Sequence, residues 1–242
     1  MKILRFEAGK LSETSYNQWD DMIGASVENG PLMLDLAFPY RLLGAGDSGR
    51  ECLFLLHGSG VDETSMVALA RRMAPDAALV AVRGRIPQED GFRWFERISP
   101  TRFDQESIRV ETATFAAFAR EAAARHGLDL DHATFLGYSN GANLVSSLML
   151  LHPGIVRSAA LLRPMPVLDQ VPATDLMGTR TLIIAGAADE TYGPFAPALV
   201  TLLSRHGTEI DARIVPSGHE IGNPDAAIVE RWLAGIGGDR VG

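Results

Sequence analysis

His132-Ala133-Thr134-Phe135-Leu136-Gly137-Tyr138-Ser139-Asn140-Gly141-Ala142-Asn143-Leu144-Val145 is the stretch whose reading decides the fold. Residues His132 to Leu136 read as a short, largely apolar strand. Residues Ala142 to His152 read as a helix that stops at Pro153-Gly154. Ser139 therefore sits at a strand-to-helix turn with a glycine two residues to either side, the G-x-S-x-G pattern of a nucleophile elbow. A sharp turn exposes the hydroxyl, and it presses the flanking residues against strand and helix, where a side chain would clash. The start of the helix leaves free N–H groups beside that hydroxyl.

Outward from this stretch, strands and helices alternate. Leu36 to Leu43 and Glu51 to Leu56 read as strands joined by the glycine turn Gly44 to Gly49, and this pair implies an antiparallel edge. The turn spells G-x-G-x-x-G, but a strand follows it, so no helix N-terminus is available to hold a pyrophosphate. Cys52-Leu53-Phe54-Leu55-Leu56 is apolar on both faces, as in a central strand covered on each side. A helix over Asp62 to Met73 and a strand over Ala78 to Val82 follow. Arg83 to Asp104 is long and irregular, and a helix runs from Gln105 to His126, closed by Gly127. Beyond the serine turn come strands over Val156 to Leu162, Thr181 to Ala185 and Ile210 to Val215, with helices over Pro194 to His206 and Pro224 to Ala234. The expectation is an α/β fold with a mostly parallel central sheet, an antiparallel N-terminal edge and helices on both faces. Residues 1–30 show no sustained core periodicity and end in the breaker Glu28-Asn29-Gly30-Pro31. They are expected to form an extension outside a single domain over 31–242.

Ligands of such sheets lie beyond the carboxyl ends of the strands. Ser139, Asp189 with Glu190, His219 and His57 each follow a strand there, in the order serine, acid, histidine. The other histidines do not: His126 and His206 close helices before a glycine, His152 ends the serine helix, and His132 starts a strand. A serine hydroxyl is a weak nucleophile at pH 7 and needs a neighbouring base, for which an imidazole of ordinary pKa about 6.5 is suited. A carboxylate then holds the imidazole's tautomer. Ser139 as nucleophile, His219 as base and Asp189 as acid form the expected triad, with Glu190 as the alternative acid; Asp169 and Asp175 follow no clear strand end. The developing oxyanion needs two donors, expected from the backbone N–H groups of Asn140 and of Ser59 in His57-Gly58-Ser59-Gly60.

Composition narrows the partners. Lys plus Arg is 22 and Asp plus Glu is 30, a net charge of −8, with no basic tail for nucleic acid. No apolar run reaches the length of a membrane span, and the N-terminus lacks the apolar core of a signal peptide. The single cysteine, Cys52, permits no intrachain disulfide. A cytoplasmic protein acting on a small-molecule ester is expected, without metal or cofactor, and with a homodimer as the alternative to a monomer.

The motifs Leu56-His57-Gly58-Ser59-Gly60-Val61-Asp62-Glu63, Arg93-Trp94-Phe95, Leu136 to Asn143, Gly186-Ala187-Ala188-Asp189 and Ser217-Gly218-His219 occur in this order. Together they resemble the phospholipase/carboxylesterase family of α/β-hydrolases, bacterial relatives of acyl-protein thioesterases, over about Leu36 to Leu233. The close thioesterases usually carry Gln after the serine, where this chain has Asn140. The resemblance implies the α/β-hydrolase fold and a serine carboxylesterase forming an acyl-enzyme. It also implies an aromatic wall, Trp94 or Phe95, for the acyl pocket, with His57 and Tyr138 beside it. The alternatives are a thioesterase or lysophospholipase using the same triad, and a non-catalytic ligand-binding version of the fold.

Overall fold

A computed structural model gives the structure of residues 29–44, 51–88 and 90–238. The expected extension over 1–30, apart from its last two residues, and most of the Gly44–Gly49 turn lie outside the described residues.

Seven strands form the main sheet: β1 (Tyr40–Leu43), β2 (Cys52–Leu56), β3 (Ala78–Val82), β8 (Ala133–Tyr138), β9 (Ser158–Leu162), β10 (Arg180–Gly186) and β11 (Glu209–Val215). Their spatial order is β1-β3-β2-β8-β9-β10-β11, parallel throughout except for β1. The antiparallel edge is therefore present, but β1 pairs with β3 and not with the strand that follows it in sequence. It is also shorter than expected. Pro39 supplies no N–H donor, and Met33 and Tyr40 exchange two backbone hydrogen bonds (2.8 and 3.1 Å), so the chain loops back before Tyr40.

The five residues of β2 are all buried because alternate side chains enter two cores. Phe54 and Leu56 join Phe38, Trp94, Phe115, Phe118 and Phe135 on one face. Leu53 and Leu55 join Leu69, Met73, Leu182 and Leu233 on the other. The first face is covered by α2 (Gln105–His126) and α3 (Asn140–Leu151), the second by α1 (Val67–Met73) and α5 (Asn223–Gly238). Helix α4 (Ala196–Arg205) lies against β10 and β11. A 3₁₀ turn, Glu63–Met66, precedes α1. Within the stretch expected to be irregular, Arg83 to Asp104, two small antiparallel hairpins form: β4 (Ile86–Gln88) with β5 (Gly91–Arg93), and β6 (Arg97–Ser99) with β7 (Arg102–Phe103).

The chain runs from β2 outward to β3 and then returns to place β8 on the other side of β2. The order reverses there, and the loops after β2 and β8 flank the crevice. With Leu56 opposite Gly137 in the register, both loops leave the sheet at the same level.

Candidate active site

The turn between β8 and α3 has no room for side chains at its glycines. A Cβ on Gly137 would lie 2.6 Å from the Cα of Ala142, and one on Gly141 would lie 2.1 Å from the carbonyl oxygen of Leu56. Ser139 stands between them at φ 51° and ψ −112°, in the left-handed region that non-glycine residues rarely occupy. Its N–H donates to Leu162 O (2.8 Å), and its carbonyl accepts from Asn143 N–H (3.0 Å). The backbone is thus over-determined, and the half-buried hydroxyl is turned toward the end of the sheet.

His219 is there to meet it. Its Nε2 is 2.9 Å from Ser139 Oγ, and its Nδ1 is 2.6 Å from Asp189 Oδ2. A carboxylate only accepts, so in neutral imidazole Nδ1 carries the proton and Nε2 accepts from the serine hydroxyl. Burial pushes the Asp189 carboxyl upward, but N–H donation from Tyr192 and the contact with His219 outweigh it and hold the group below its ordinary value. The structure brings these three residues together. It leaves Glu190, Asp169 and Asp175 exposed on the surface.

The loop carrying His219 is held by Arg163, a residue the sequence reading did not single out. Its guanidinium donates to Gly218 O (2.8 Å), Ser217 Oγ (2.9 Å) and Glu220 O (2.9 Å), and it pairs with Asp225 at 2.7 Å. Arg163 also has a positive φ, 54°. It directly follows β9, so the sheet-edge rule that picks out Asp189 and His219 also reaches it.

The loop after β2 is clamped from several sides. Gly60 N–H donates to Phe92 O and Phe92 N–H to Val61 O, both at 2.9 Å, so the β4–β5 hairpin holds Ser59 in place. Glu63, fully buried, accepts from Arg41 (2.7 Å) and Arg83 (2.5 and 3.0 Å). Its burial favours protonation, but the two arginines outweigh this and keep the group ionised.

His57, Trp94 and Phe95 depart from expectation. All three are buried and none lines the cleft beside Ser139. His57 accepts Gly84 N–H at Nε2 (2.9 Å), and its Nδ1 contacts Gly58 O at 2.6 Å; burial pulls its pKa down to about 4. Trp94 donates its indole N–H to His57 O (2.8 Å) and its backbone N–H to Asn140 Oδ1 (2.8 Å). Its ring packs on those of Phe38, Phe115 and His57. Each of these polar atoms finds its partner only below the surface, so these residues brace the turn from the core. Phe95 meets Phe103 edge to face at 5.2 Å, and it is Phe103 that reaches the cleft. Tyr138 lies beside His219, ring centroids 5.5 Å apart, with its hydroxyl donating to His219 O.

The cleft itself is small, about 30 Å³, and holds Ser59, Ser139 and Asn140. Its walls are Phe103, Met165, Tyr192 and Asn143, with Arg93, Arg97 and Arg163 around them. The backbone N–H of Asn140 is the first of α3, where the helix dipole favours negative charge. Among the described residues, no group of three or more His, Cys, Asp or Glu is placed to hold a metal ion, and no helix is long and apolar enough to cross a membrane.

No protein-family model matches the chain. It is 30% identical over 181 residues, 74% of this chain and 90% of the other, to a Bacillus subtilis protein that carries the name hydrolase MhqD. The crystal structure of a carboxylesterase from Mesorhizobium loti is 83% identical and superposes with a TM-score of 0.84, covering 86% of this chain and 100% of that one. The Bacillus cereus carboxylesterase is 25% identical with a TM-score of 0.79, covering 83% of this chain and 95% of that one.

Proposed function

We propose that this chain, which belongs to the α/β-hydrolase family of carboxylesterases, hydrolyses carboxylic esters of small to medium acyl groups through an acyl-enzyme on Ser139. The observation that carries this reading is the hydrogen-bonded series Ser139 Oγ, His219, Asp189, at 2.9 and 2.6 Å, on a serine whose backbone is strained.

In the first half-reaction His219 Nε2 takes the hydroxyl proton as Ser139 Oγ attacks the ester carbonyl. The oxyanion is received by the backbone N–H groups of Asn140 and Ser59. Asp189 stabilises the imidazolium, which then protonates the leaving alcohol as the C–O bond breaks. In the second half-reaction His219 deprotonates a water that attacks the acyl-serine. The carboxylic acid departs, and the proton returns to Ser139. Phe103, Met165 and Tyr192, the apolar walls beside Ser139, would face the acyl group. The single, buried cysteine, whose thiol burial pushes up to about 12, suits a reducing compartment, and a cytoplasmic location is part of this reading.

The test is labelling with a fluorophosphonate probe, mapping of the labelled peptide, and turnover of ester and thioester panels from acetyl to decanoyl. Labelling at Ser139 with turnover of short esters is expected. Labelling at another serine would discard the assignment, and turnover of thioesters alone would replace the esterase by a thioesterase.

A further inference from the structure

Arg93 is a buried cation with no ion pair among the described residues; the exposed Glu96 acts on it only through space. It ends β5, is 5% exposed, and lines the same cleft as Ser139. Its Nε has no hydrogen-bond partner, and its guanidinium lies 6.0 Å from the centre of the Phe103 ring. No Asp or Glu lines the cleft. Arg97, exposed at the mouth, adds a second positive charge; burial first, and this neighbour second, lower Arg93 to about 10. By contrast the other buried arginine of the cleft, Arg163, is paired with Asp225.

A second observation points the same way. Asn140 is 3% exposed, and its Oδ1 is occupied by Trp94 N–H, which fixes the amide's orientation. Its Nδ2 is left buried with no partner. Arg93 and Asn140 therefore line one cleft, each carries a buried donor without a partner, and no carboxylate lines that cleft. Burying a guanidinium unpaired is costly, and a planar acceptor-only group is its best complement.

We propose that Arg93, assisted by Asn140 Nδ2 and by Arg97 at the entrance, forms a carboxylate-binding subsite beside Ser139, so that the preferred ester carries a negative charge close to its scissile bond. This rests on the esterase reading of Ser139. The carboxylate belongs either to the acyl part, as in a half-ester of a short dicarboxylic acid, or to the alcohol part, as in an acylated hydroxy acid.

Two substrate pairs separate these sources: monoethyl succinate against ethyl valerate, and O-butyryl glycolate against propyl butyrate, each followed by proton release. In one pair kcat/KM for the anionic member should exceed that for the neutral member by about 10- to 100-fold, the range of a charge-assisted hydrogen bond. Arg93→Gln should collapse that ratio. Succinate should bind Ser139→Ala in calorimetry and should not bind the Ser139→Ala/Arg93→Gln double variant. If Arg93→Gln does not fold, Arg97→Gln should lower the ratio in its place. A ratio at or below one in both pairs, or one that neither arginine substitution moves, overturns the subsite. Turnover of neutral esters without succinate binding would remove the subsite and keep the esterase. Arg93-dependent succinate binding with no turnover and no probe labelling would remove the esterase and keep an anion site.

Discussion

Arg163 and Asp225 form an ion pair of 2.7 Å in which neither side chain is exposed, and the same guanidinium holds the loop that presents His219. The pair joins the end of β9 to α5 and makes the position of His219 a property of the core rather than of a free loop. Removing one partner leaves a buried charge uncompensated, a loss of about 3–5 kcal/mol. Arg163→Lys keeps the charge but cannot reproduce the fan of donors to Ser217, Gly218 and Glu220. We expect this variant to fold and to lose about 10- to 100-fold in kcat, as for a displaced reacting group. Acid–base steps should suffer more than KM. An unchanged kcat in a folded Arg163→Lys protein would make the arginine purely structural.

The three residues Ser139, His219 and Asp189 should fail as a unit. Ser139→Ala should lower kcat by roughly 10⁵–10⁶ and abolish probe labelling. Asp189→Asn should cost roughly 10⁴ through the imidazole tautomer, while the exposed Glu190 should tolerate Gln with little change. The reverse pattern in steady-state kinetics would assign the acid to Glu190.

His57 should give the fold an acid-sensitive component. It is neutral in the folded chain, with its pKa pulled to about 4 by burial, whereas in the unfolded chain a histidine binds its proton near 6.5. Its contribution is therefore complete above pH 6.5 and is lost as pH falls from 6.5 toward 4, at about 1.4 kcal/mol per pH unit. Between pH 7 and pH 5 that amounts to roughly 2 kcal/mol. Urea unfolding at the two pH values should show this loss, and His57→Gln should flatten it; equal slopes in both proteins would refute it.

Trp94 should behave as core. Trp94→Ala should destabilise by about 3–5 kcal/mol and withdraw the indole donor from His57 O. Activity should fall to a similar extent across ester chain lengths. An extended acyl range at unchanged melting temperature would instead put the indole at the pocket.

Much of this architecture was legible. The G-x-S-x-G turn, the alternation of elements and the carboxyl-edge rule place Ser139, Asp189 and His219 on one edge, and the structure brings them within hydrogen-bonding distance. The helix over Gln105–His126 and the strand over Ala78–Val82 have the bounds their patterns imply. What escaped depends on non-local partners. Nothing in the adjacency of Trp94 and Phe95 says that both turn inward, because that is decided by Asn140, His57 and Phe103, which lie far away in sequence. Arg163 stood at the right edge but has no reactive side chain, so only its contacts to residues 217–220 reveal its task. Arg93 likewise reads as an ordinary loop arginine until its missing partner is seen.

Because β1 is paired with β3, the N-terminal edge cannot close as a local hairpin. Leu43 meets Leu79 and Tyr40 meets Val82, with all of β2 and α1 between them along the chain. The edge strand has no sheet to join until the β2–α1–β3 crossover has formed, and closing so long a loop adds entropy that a tight turn would not. The order of assembly is thereby set: crossover first, edge last. In pulse-labelled hydrogen exchange during refolding, amides of Cys52–Leu56 and Ala78–Val82 should gain protection before those of Tyr40–Leu43, and simultaneous protection would contradict this sequence of events. A strand added last is also the first to peel away, so slow opening of the native protein should begin at Tyr40–Leu43 and leave the seat of Ser139, three strands further in, undisturbed.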